Sequence, residues 1–129
     1  MDNISISLQE GSRKEVSEVR VDGVIDTLTA GELEEVLDSL LKRDRFNIVV
    51  DLAGVDYISS AGWGIFISHI KEVRANGGDI KLANMISNVY EIYELLEFDN
   101  VLTAYPSLDE ARDAFEGQLP PGEKKKRRS

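Results

Sequence analysis

The sequence predicts an α/β domain built on a mainly parallel central β-sheet of about five strands, with an N-terminal hairpin and about four α-helices. Two observations lead to this prediction. Apolar segments of strand type alternate with amphipathic helical segments, and such alternation is typical of parallel strands joined by right-handed crossovers. The chain has 129 residues, which is the length of one domain. We assign residues 1–116 to that domain and residues 117–129 to a flexible basic tail.

The first half of the chain contains the predicted hairpin, one helix and one central strand. Alternating apolar residues predict two strands joined by a turn near residues 10–12. Thr29 lies three residues before Glu32, as in a capping box, and apolar residues at helical spacing follow as far as Leu41. The apolar run 46–52 predicts a strand covered on both faces, and we expect residues 53–58 to form a loop.

The second half contains three further helices and two further strands. A helix is predicted from Ser60 to about Arg74, and the Asn-Gly-Gly segment 76–78 ends it. Residues 79–84 and 101–105 read as strands, and Ser107 caps a final helix. The apolar faces of the second and third helices are Trp63, Phe66, Ile67, Ile70 and Val73, and Val89, Ile92, Tyr93, Leu95 and Leu96.

Composition and charge exclude several classes of function. The chain has no cysteine, which excludes disulfides, thiolate catalysis and cysteine-based metal sites. It shows neither a membrane-spanning apolar run nor the pattern of a signal peptide, so we expect a cytoplasmic protein without membrane insertion. The net charge is −9, and residues 1–122 carry −13 because Glu123 and the five basic residues 124–128 together carry +4. Such an acidic body repels nucleic acid and favours a protein partner with a basic surface.

Catalytic patterns are missing from the sequence. His69 is the only histidine and lies within the second predicted helix, where a structural role is favoured over catalysis. Asp26, Asp51 and Asp56 at strand ends could suggest magnesium or an aspartyl phosphate, but loop capping and solvated charge are favoured because no pattern makes them converge. A phospho-aspartate receiver also alternates strands and helices, but it needs an acidic pair after its first strand and a lysine after its last. This sequence has neither. We therefore expect a non-enzymatic protein with no cofactor and no metal site.

The segment 56–64, Asp-Tyr-Ile-Ser-Ser-Ala-Gly-Trp-Gly, is the most unusual in the chain because it is so rich in small residues. A structural explanation is that Ser59 or Ser60 caps the helix, a contribution of about 1 kcal/mol. The neighbouring glycines weaken a helix, however, and leave its backbone approachable. A phosphate on Ser60 would be tolerated at a helix N-terminus, while its charge near Asp26 and Asp56 would repel an acidic or apolar partner surface. One serine could thus act as a switch.

Several segments together resemble the STAS domain family, and within it the stand-alone bacterial anti-anti-sigma factors. The resemblance covers residues 4 to about 116. The matching segments are VDGVID at 21–26, IVVDLAGVDYI at 48–58, SSAG at 59–62, GDIKLA at 78–83 and LLEF at 95–98. Any one of these segments would be weak, but together they are specific.

The resemblance implies a phospho-regulated, protein-binding function. Ser60 aligns with the serine that is phosphorylated by an anti-sigma factor with serine kinase activity, which itself supplies ATP and magnesium. The unphosphorylated protein captures the anti-sigma factor, the phosphorylated one releases it, and a serine phosphatase resets the switch. No direct nucleic-acid contact is implied, and the chain would be a monomer or a weak dimer. The implied partner surface comprises Asp26, Thr27, Thr29, Asp56, Ser59, Ser60, Ala61, Gly62 and Trp63.

Two positions depart from the family pattern. Ser59 replaces the usual aspartate, which leaves three alternatives: Ser59 is itself the phosphate acceptor, the kinase tolerates the change, or the site is unmodified. Trp63 replaces the usual leucine, and its ring belongs either to the core or to the partner surface; the core is favoured because Trp63 lies on the apolar stripe. The alternative function is that of a non-switching STAS scaffold or accessory subunit, as in a stressosome-like or lipid-transport complex.

Overall fold

The computed structural model describes residues 4–9 and 15–115. The predicted turn at residues 10–12 and the predicted tail at 117–129 lie outside these ranges. The described residues form five strands, four α-helices and one 3₁₀ turn: β1 (Ile4–Gln9), β2 (Ser17–Ile25), α1 (Ala30–Lys42), β3 (Asn47–Ile58), α2 (Ser60–Ala75), β4 (Asp79–Ala83), α3 (Ser87–Leu95), the 3₁₀ turn (Phe98–Asn100), β5 (Thr103–Tyr105) and α4 (Leu108–Ala114). Within this part of the chain, no helix has the length and apolar character needed to cross a membrane.

The five strands form one sheet in the order β1-β2-β3-β4-β5. β1 pairs antiparallel with β2, and every later pair is parallel. Each parallel pair is joined by a helix, because two parallel strands need a crossover connection. The predicted fold class, a mainly parallel sheet with an N-terminal hairpin and four helices, is therefore confirmed.

The sheet separates two apolar clusters. Alternate residues of β3 point to opposite faces: Ile48 and Val50 contribute to the larger cluster and Val49 to the smaller one. α1, α2 and α3 cover the larger cluster, whereas α4 covers the smaller one through Ala111 and Phe115. The sheet thus has helices on both faces, and its central strands are buried on both sides, as the apolar run 46–52 predicts.

The prediction of a loop at residues 53–58 was wrong, because β3 continues to Ile58. This extension pairs with the second half of β2, with Ile58 opposite Ile25, and two register irregularities interrupt the pairing. The irregularities break the strict alternation that identifies a strand from sequence. Gly54 leaves room for the Asp22 side chain: a Cβ at Gly54 would lie 1.8 Å from Oδ1 of Asp22.

The third helix is less buried than its apolar pattern predicts. Val89 and Tyr93 enter the core, but Leu95 is 73% and Leu96 50% exposed. α3 ends at Leu95, and the 3₁₀ turn follows almost directly. The pattern of five apolar residues therefore combines a short buried stripe with an exposed apolar surface.

Candidate functional site

The start of α2 distinguishes the two adjacent serines. Ser59 is the N-cap residue, and its hydroxyl oxygen accepts a hydrogen bond from the backbone N–H of Gly62 at 3.3 Å. Ser60 is the first residue of the helix and is exposed. Of the two serines that could cap the helix, Ser59 does so, and Ser60 is left exposed.

Two features join the start of α2 tightly to the sheet. The Ser59 N–H donates a hydrogen bond to the carbonyl oxygen of Ile25 at 2.8 Å. Gly62 lies directly over the strand ends: a Cβ there would be 2.6 Å from Cγ2 of Ile25 and 2.8 Å from Cγ2 of Ile58. Gly62 therefore allows the close approach of helix and sheet that places Ser60 next to the end of β2.

The loop after β2 is held by Asp26 and Thr29, in a different way from the predicted capping box. The carboxylate of Asp26 accepts hydrogen bonds from the N–H groups of Leu28, at 2.9 Å, and Thr29, at 3.1 Å. The Thr29 hydroxyl donates to the carbonyl oxygen of Val24 at 2.7 Å and accepts from the Asp26 N–H at 2.9 Å. Thr29 makes no side-chain cap bond to α1. The capping-box prediction was wrong, because the Thr29 hydroxyl closes the loop instead.

The residues of the predicted partner surface fall into three groups by exposure. The exposed members are Thr27, Asp56 and Ser60; the partly exposed members are Asp26, Ser59 and Ala61; and the buried members are Thr29, Gly62 and Trp63. The prediction that Thr29, Gly62 and Trp63 contact the partner directly needs correction, because these three residues are buried. Among the predicted residues, Thr27, Asp56 and Ser60 are the ones that are exposed.

The Trp63 ring lies in the core. The sequence analysis favoured this position over the partner surface. Its side chain is among the largest fully buried ones, and the residue is 1% exposed. Its ring lies 5.1 Å from that of Phe98, 6.1 Å from that of Tyr93 and 6.3 Å from that of Phe66, measured between centroids. Such aromatic contacts add to the free energy of burial. Trp63 thus joins α2 to α3 and to the 3₁₀ turn.

Sequence reasoning missed two large exposed side chains beside the site. Leu28 lies in the loop after β2 and is 81% exposed, and Tyr57 near the end of β3 is 55% exposed. Tyr57 also lines a groove of about 350 Å³ between the end of β3 and α3, together with Asp56 and Ile92. The apolar character of Leu28, which stands outside any helical stripe, was the signal that could have identified it.

Asp51, the third strand-end aspartate considered in the sequence analysis, lies away from the start of α2 and has structural partners. Asp51 is 5% exposed; its carboxylate accepts hydrogen bonds from the Ala53 N–H, at 3.0 Å, and the Asn84 side-chain amide, at 3.2 Å. Since a strand rises about 3.3 Å per residue, Asp51 is about 16 Å along β3 from Asp56. The two carboxylates therefore do not form one site.

The fold and this surface place the chain in a known class. Residues 11–111 match the STAS domain, and the chain belongs to the STAS domain family. The relatives are consistent with this assignment. BtrV of Bordetella bronchiseptica, assigned as an anti-sigma factor antagonist, is 31% identical over 98 residues, 76% of this chain and 84% of that protein. The anti-sigma-B factor antagonist of Staphylococcus aureus is 26% identical over 92 residues, 71% of this chain and 85% of that protein.

Solved structures show the same fold. An anti-sigma factor antagonist from Mycobacterium paratuberculosis superimposes with a TM-score of 0.78 at 25% identity, over 87% of this chain and 93% of that one. The unphosphorylated form of the anti-sigma factor antagonist SpoIIAA superimposes with a TM-score of 0.68 at 16% identity, over 88% of this chain and 99% of that one. The likeness to SpoIIAA concerns the fold alone.

Proposed function

We propose that this protein is an anti-sigma factor antagonist that binds an anti-sigma factor with serine kinase activity and releases it when Ser60 is phosphorylated. One observation carries the proposal: Ser60 is exposed at the first position of α2, while the adjacent Ser59 caps the helix. A kinase can reach Ser60 without opening the fold. The names of the relatives support the same class of partner.

Ser60 suits modification better than Ser59 for a physical reason. The Ser59 hydroxyl oxygen accepts the Gly62 N–H, so a phosphate on that oxygen would disturb the cap of α2. Ser60 has no such role in the cap. A phosphate on Ser60 would lie at the positive end of the helix dipole, where a charge of −1.5 to −2 is tolerated. The fold would therefore survive phosphorylation of Ser60.

Release follows from the surroundings of Ser60. The Ser59–Ile25 hydrogen bond brings the loop that contains Asp26 next to the start of α2, and exposed Asp56 closely precedes the helix. A phosphate would add negative charge to a surface that already carries carboxylates. The phosphate would repel an acidic or apolar part of the partner surface opposite Ser60, and it would have to lose its hydration when the complex forms. Since 1.4 kcal/mol changes affinity tenfold, a penalty of about 3 kcal/mol weakens binding by about 100-fold.

The protein's role in this scheme is binding, not catalysis. The partner kinase supplies ATP and magnesium, and a serine phosphatase restores the unmodified state. We place the process in the cytoplasm, with no direct contact to nucleic acid and no insertion into a membrane. The protein acts as a monomer or a weak dimer, and removal of the basic residues 124–128 leaves partner binding intact.

The test combines phosphosite mapping with a binding measurement. The protein isolated from its own cells is mapped by mass spectrometry, alongside the variants Ser60→Ala, Ser59→Ala and Ser68→Ala. Ser68 is a matched control, because it is an exposed serine on the same helix. We expect phosphate on Ser60, its loss only in Ser60→Ala, and weaker binding of the phosphorylated form to the anti-sigma factor that co-purifies with the unmodified protein.

Other outcomes have definite meanings. Phosphate on Ser59 alone would move the site by one residue and refute the assignment of Ser60. A partner complex that forms equally well with phosphorylated and unmodified protein would refute the switch. An absence of phosphate during growth and stress, with a complex indifferent to Ser60→Ala and Ser59→Ala, would favour the non-switching scaffold or accessory subunit.

A further inference from the structure

A cluster of three metal-ligand side chains lies between α1 and α2, away from the surface around Ser60. Glu34 and Asp38 stand four residues apart on α1, and His69 faces them from α2. Residues at this spacing lie on one face of a helix. One ligand atom from each of the three side chains can be chosen so that all three lie within 4.8 Å of one another. We propose that these residues bind a divalent transition-metal ion, with Zn²⁺ as its representative.

The environment of His69 sets this cluster apart from an ordinary group of surface carboxylates. The imidazole is buried, with 8% of the residue exposed, and its Nδ1 lies 2.7 Å from the carbonyl oxygen of Ile65. A carbonyl oxygen can only accept, so Nδ1 carries the hydrogen of this bond. Nε2 is thereby directed at Asp38, whose Oδ1 is 2.7 Å away. A carboxylate oxygen also accepts, so Nε2 donates a hydrogen to Asp38 in this structure, and a bound ion would take the place of that hydrogen. Orientation of the ring by a hydrogen bond from the other nitrogen to a carbonyl is typical of metal-binding histidines.

The three donors favour a transition metal over magnesium or calcium. Imidazole nitrogen suits zinc and its neighbours, whereas the hard ions prefer oxygen ligands alone. Binding forms an Nε2–metal bond and breaks the Nε2–H bond, and the proton leaves to solvent. The two carboxylates supply one oxygen each, and water completes a tetrahedral shell.

Both carboxylates must move for the three ligand atoms to form a metal shell, and the Glu34 oxygen must come closer to the other two ligand atoms by up to about 1.4 Å, since the structure places the three within 4.8 Å. Zinc–ligand distances of about 2.1 Å place tetrahedral ligand atoms about 3.4 Å apart. The Asp38 oxygen must therefore move away from Nε2 by about 0.7 Å, starting from 2.7 Å. The Asp38 side chain is 51% exposed and can make this movement by rotating, while the buried imidazole stays in place.

A bound ion would connect α1 to α2 without touching the surface around Ser60. His69 is nine residues after Ser60, which is about 13 Å along the helix axis. The metal site and the phosphorylation switch are therefore separate proposals. An ion held by both helices stabilises the folded state, because it binds the folded chain and not the separated ligands of the unfolded chain.

The test is a Zn²⁺ titration of the full, tag-free chain by calorimetry, with the melting temperature followed over the same concentrations. The variants are Glu34→Gln, His69→Gln and, as a control one residue away on the same helix, Glu35→Gln. We expect one ion per chain, a rising melting temperature, at least about tenfold weaker binding in Glu34→Gln and His69→Gln, and unchanged binding in Glu35→Gln.

Glu34→Gln separates an effect on metal binding from an effect on folding, because it leaves the His69–Asp38 contact intact. It decides the question if His69→Gln does not fold. An absence of binding up to ~1 mM Zn²⁺ would refute the proposal and leave His69 and Asp38 as a structural pair. A dissociation constant of that size corresponds to a binding free energy of only about −4 kcal/mol. Equal binding by Glu34→Gln and the parent protein would also refute it, because the ion would then be held elsewhere.

Discussion

The backbone N–H of Ser59 donates a hydrogen bond to the carbonyl oxygen of Ile25 at 2.8 Å, so the start of α2 is joined directly to the end of β2. These residues are far apart in the chain, yet this bond sets the positions of the two segments that border the exposed Ser60. Because the bond is made by backbone atoms, replacing or phosphorylating the Ser60 side chain removes neither its donor nor its acceptor. The surface around Ser60 is thus built on a fixed frame.

The two serines should differ in their effect on stability. We expect Ser59→Ala to lower the free energy of unfolding by about 1 kcal/mol, because it removes the cap of α2. Ser60→Ala should change it by less than about 0.5 kcal/mol, because the residue is exposed. Urea unfolding of the two variants beside the parent protein measures this difference. Equal effects of both substitutions would contradict the division of roles between cap and modification site.

Gly62 and Gly64 should respond in opposite ways to the same substitution. In Gly62→Ala the new Cβ would meet Cγ2 of Ile25 at 2.6 Å and the Ile25 carbonyl oxygen at 3.0 Å. We expect a loss of about 1–3 kcal/mol of stability, because helix and sheet must separate.

Gly64→Ala is the matched control, since no atom lies within 4 Å of a Cβ there. It should gain up to about 1 kcal/mol from the higher helix propensity of alanine. Thermal or urea unfolding of both variants checks the pair. A stable Gly62→Ala variant would show that α2 does not need its close approach to the sheet.

Tyr93 should make stability depend on pH in the alkaline range. Burial, helped by the nearby Asp99 carboxylate, raises the pKa of Tyr93 to about 12. The phenol of an unfolded chain has a pKa of about 10. The folded state therefore holds the proton more strongly, and its contribution to stability is complete below pH 10 and is lost between pH 10 and about 12.

Unfolding in urea at several pH values between 8 and 11 measures this loss. Tyr93→Phe should lose less stability than the parent above pH 10, although it starts lower because the hydrogen bond to the Leu102 carbonyl is missing. Tyr57→Phe is the control, since Tyr57 is 55% exposed. Parallel pH profiles for Tyr93→Phe and the parent would refute the assignment to Tyr93.

The fold was predictable from sequence where local patterns and packing agree. Apolar stripes identified α1 and α2, and a continuous apolar run identified the core of β3, because burial on one or two faces sets those patterns. The extension of β3 to Ile58 was not predictable in this way. It depends on pairing with β2 through register irregularities, which the local sequence does not encode.

The candidate site was predictable in sequence position but not in its division of roles. The small residues of segment 56–64 indicated the start of α2, but only the structure separates the capping Ser59 from the exposed Ser60. The position of Thr29 was predictable as well, but its role was not. Its hydroxyl could bond either to the start of α1 or within the loop after β2, and in the structure it bonds within the loop. The His69–Asp38 contact could not be predicted, since it joins residues on different helices and no spacing rule connects them.

The strand order of the sheet bears on how the chain acquires its structure during synthesis. Because the spatial order β1-β2-β3-β4-β5 equals the order along the chain, each new strand finds its partner in the strand made just before it. Every pairing therefore closes a loop no longer than one helical connection, and short loops carry a small entropic penalty. The sheet can grow strand by strand as the chain leaves the ribosome, with no early strand waiting for a distant late one.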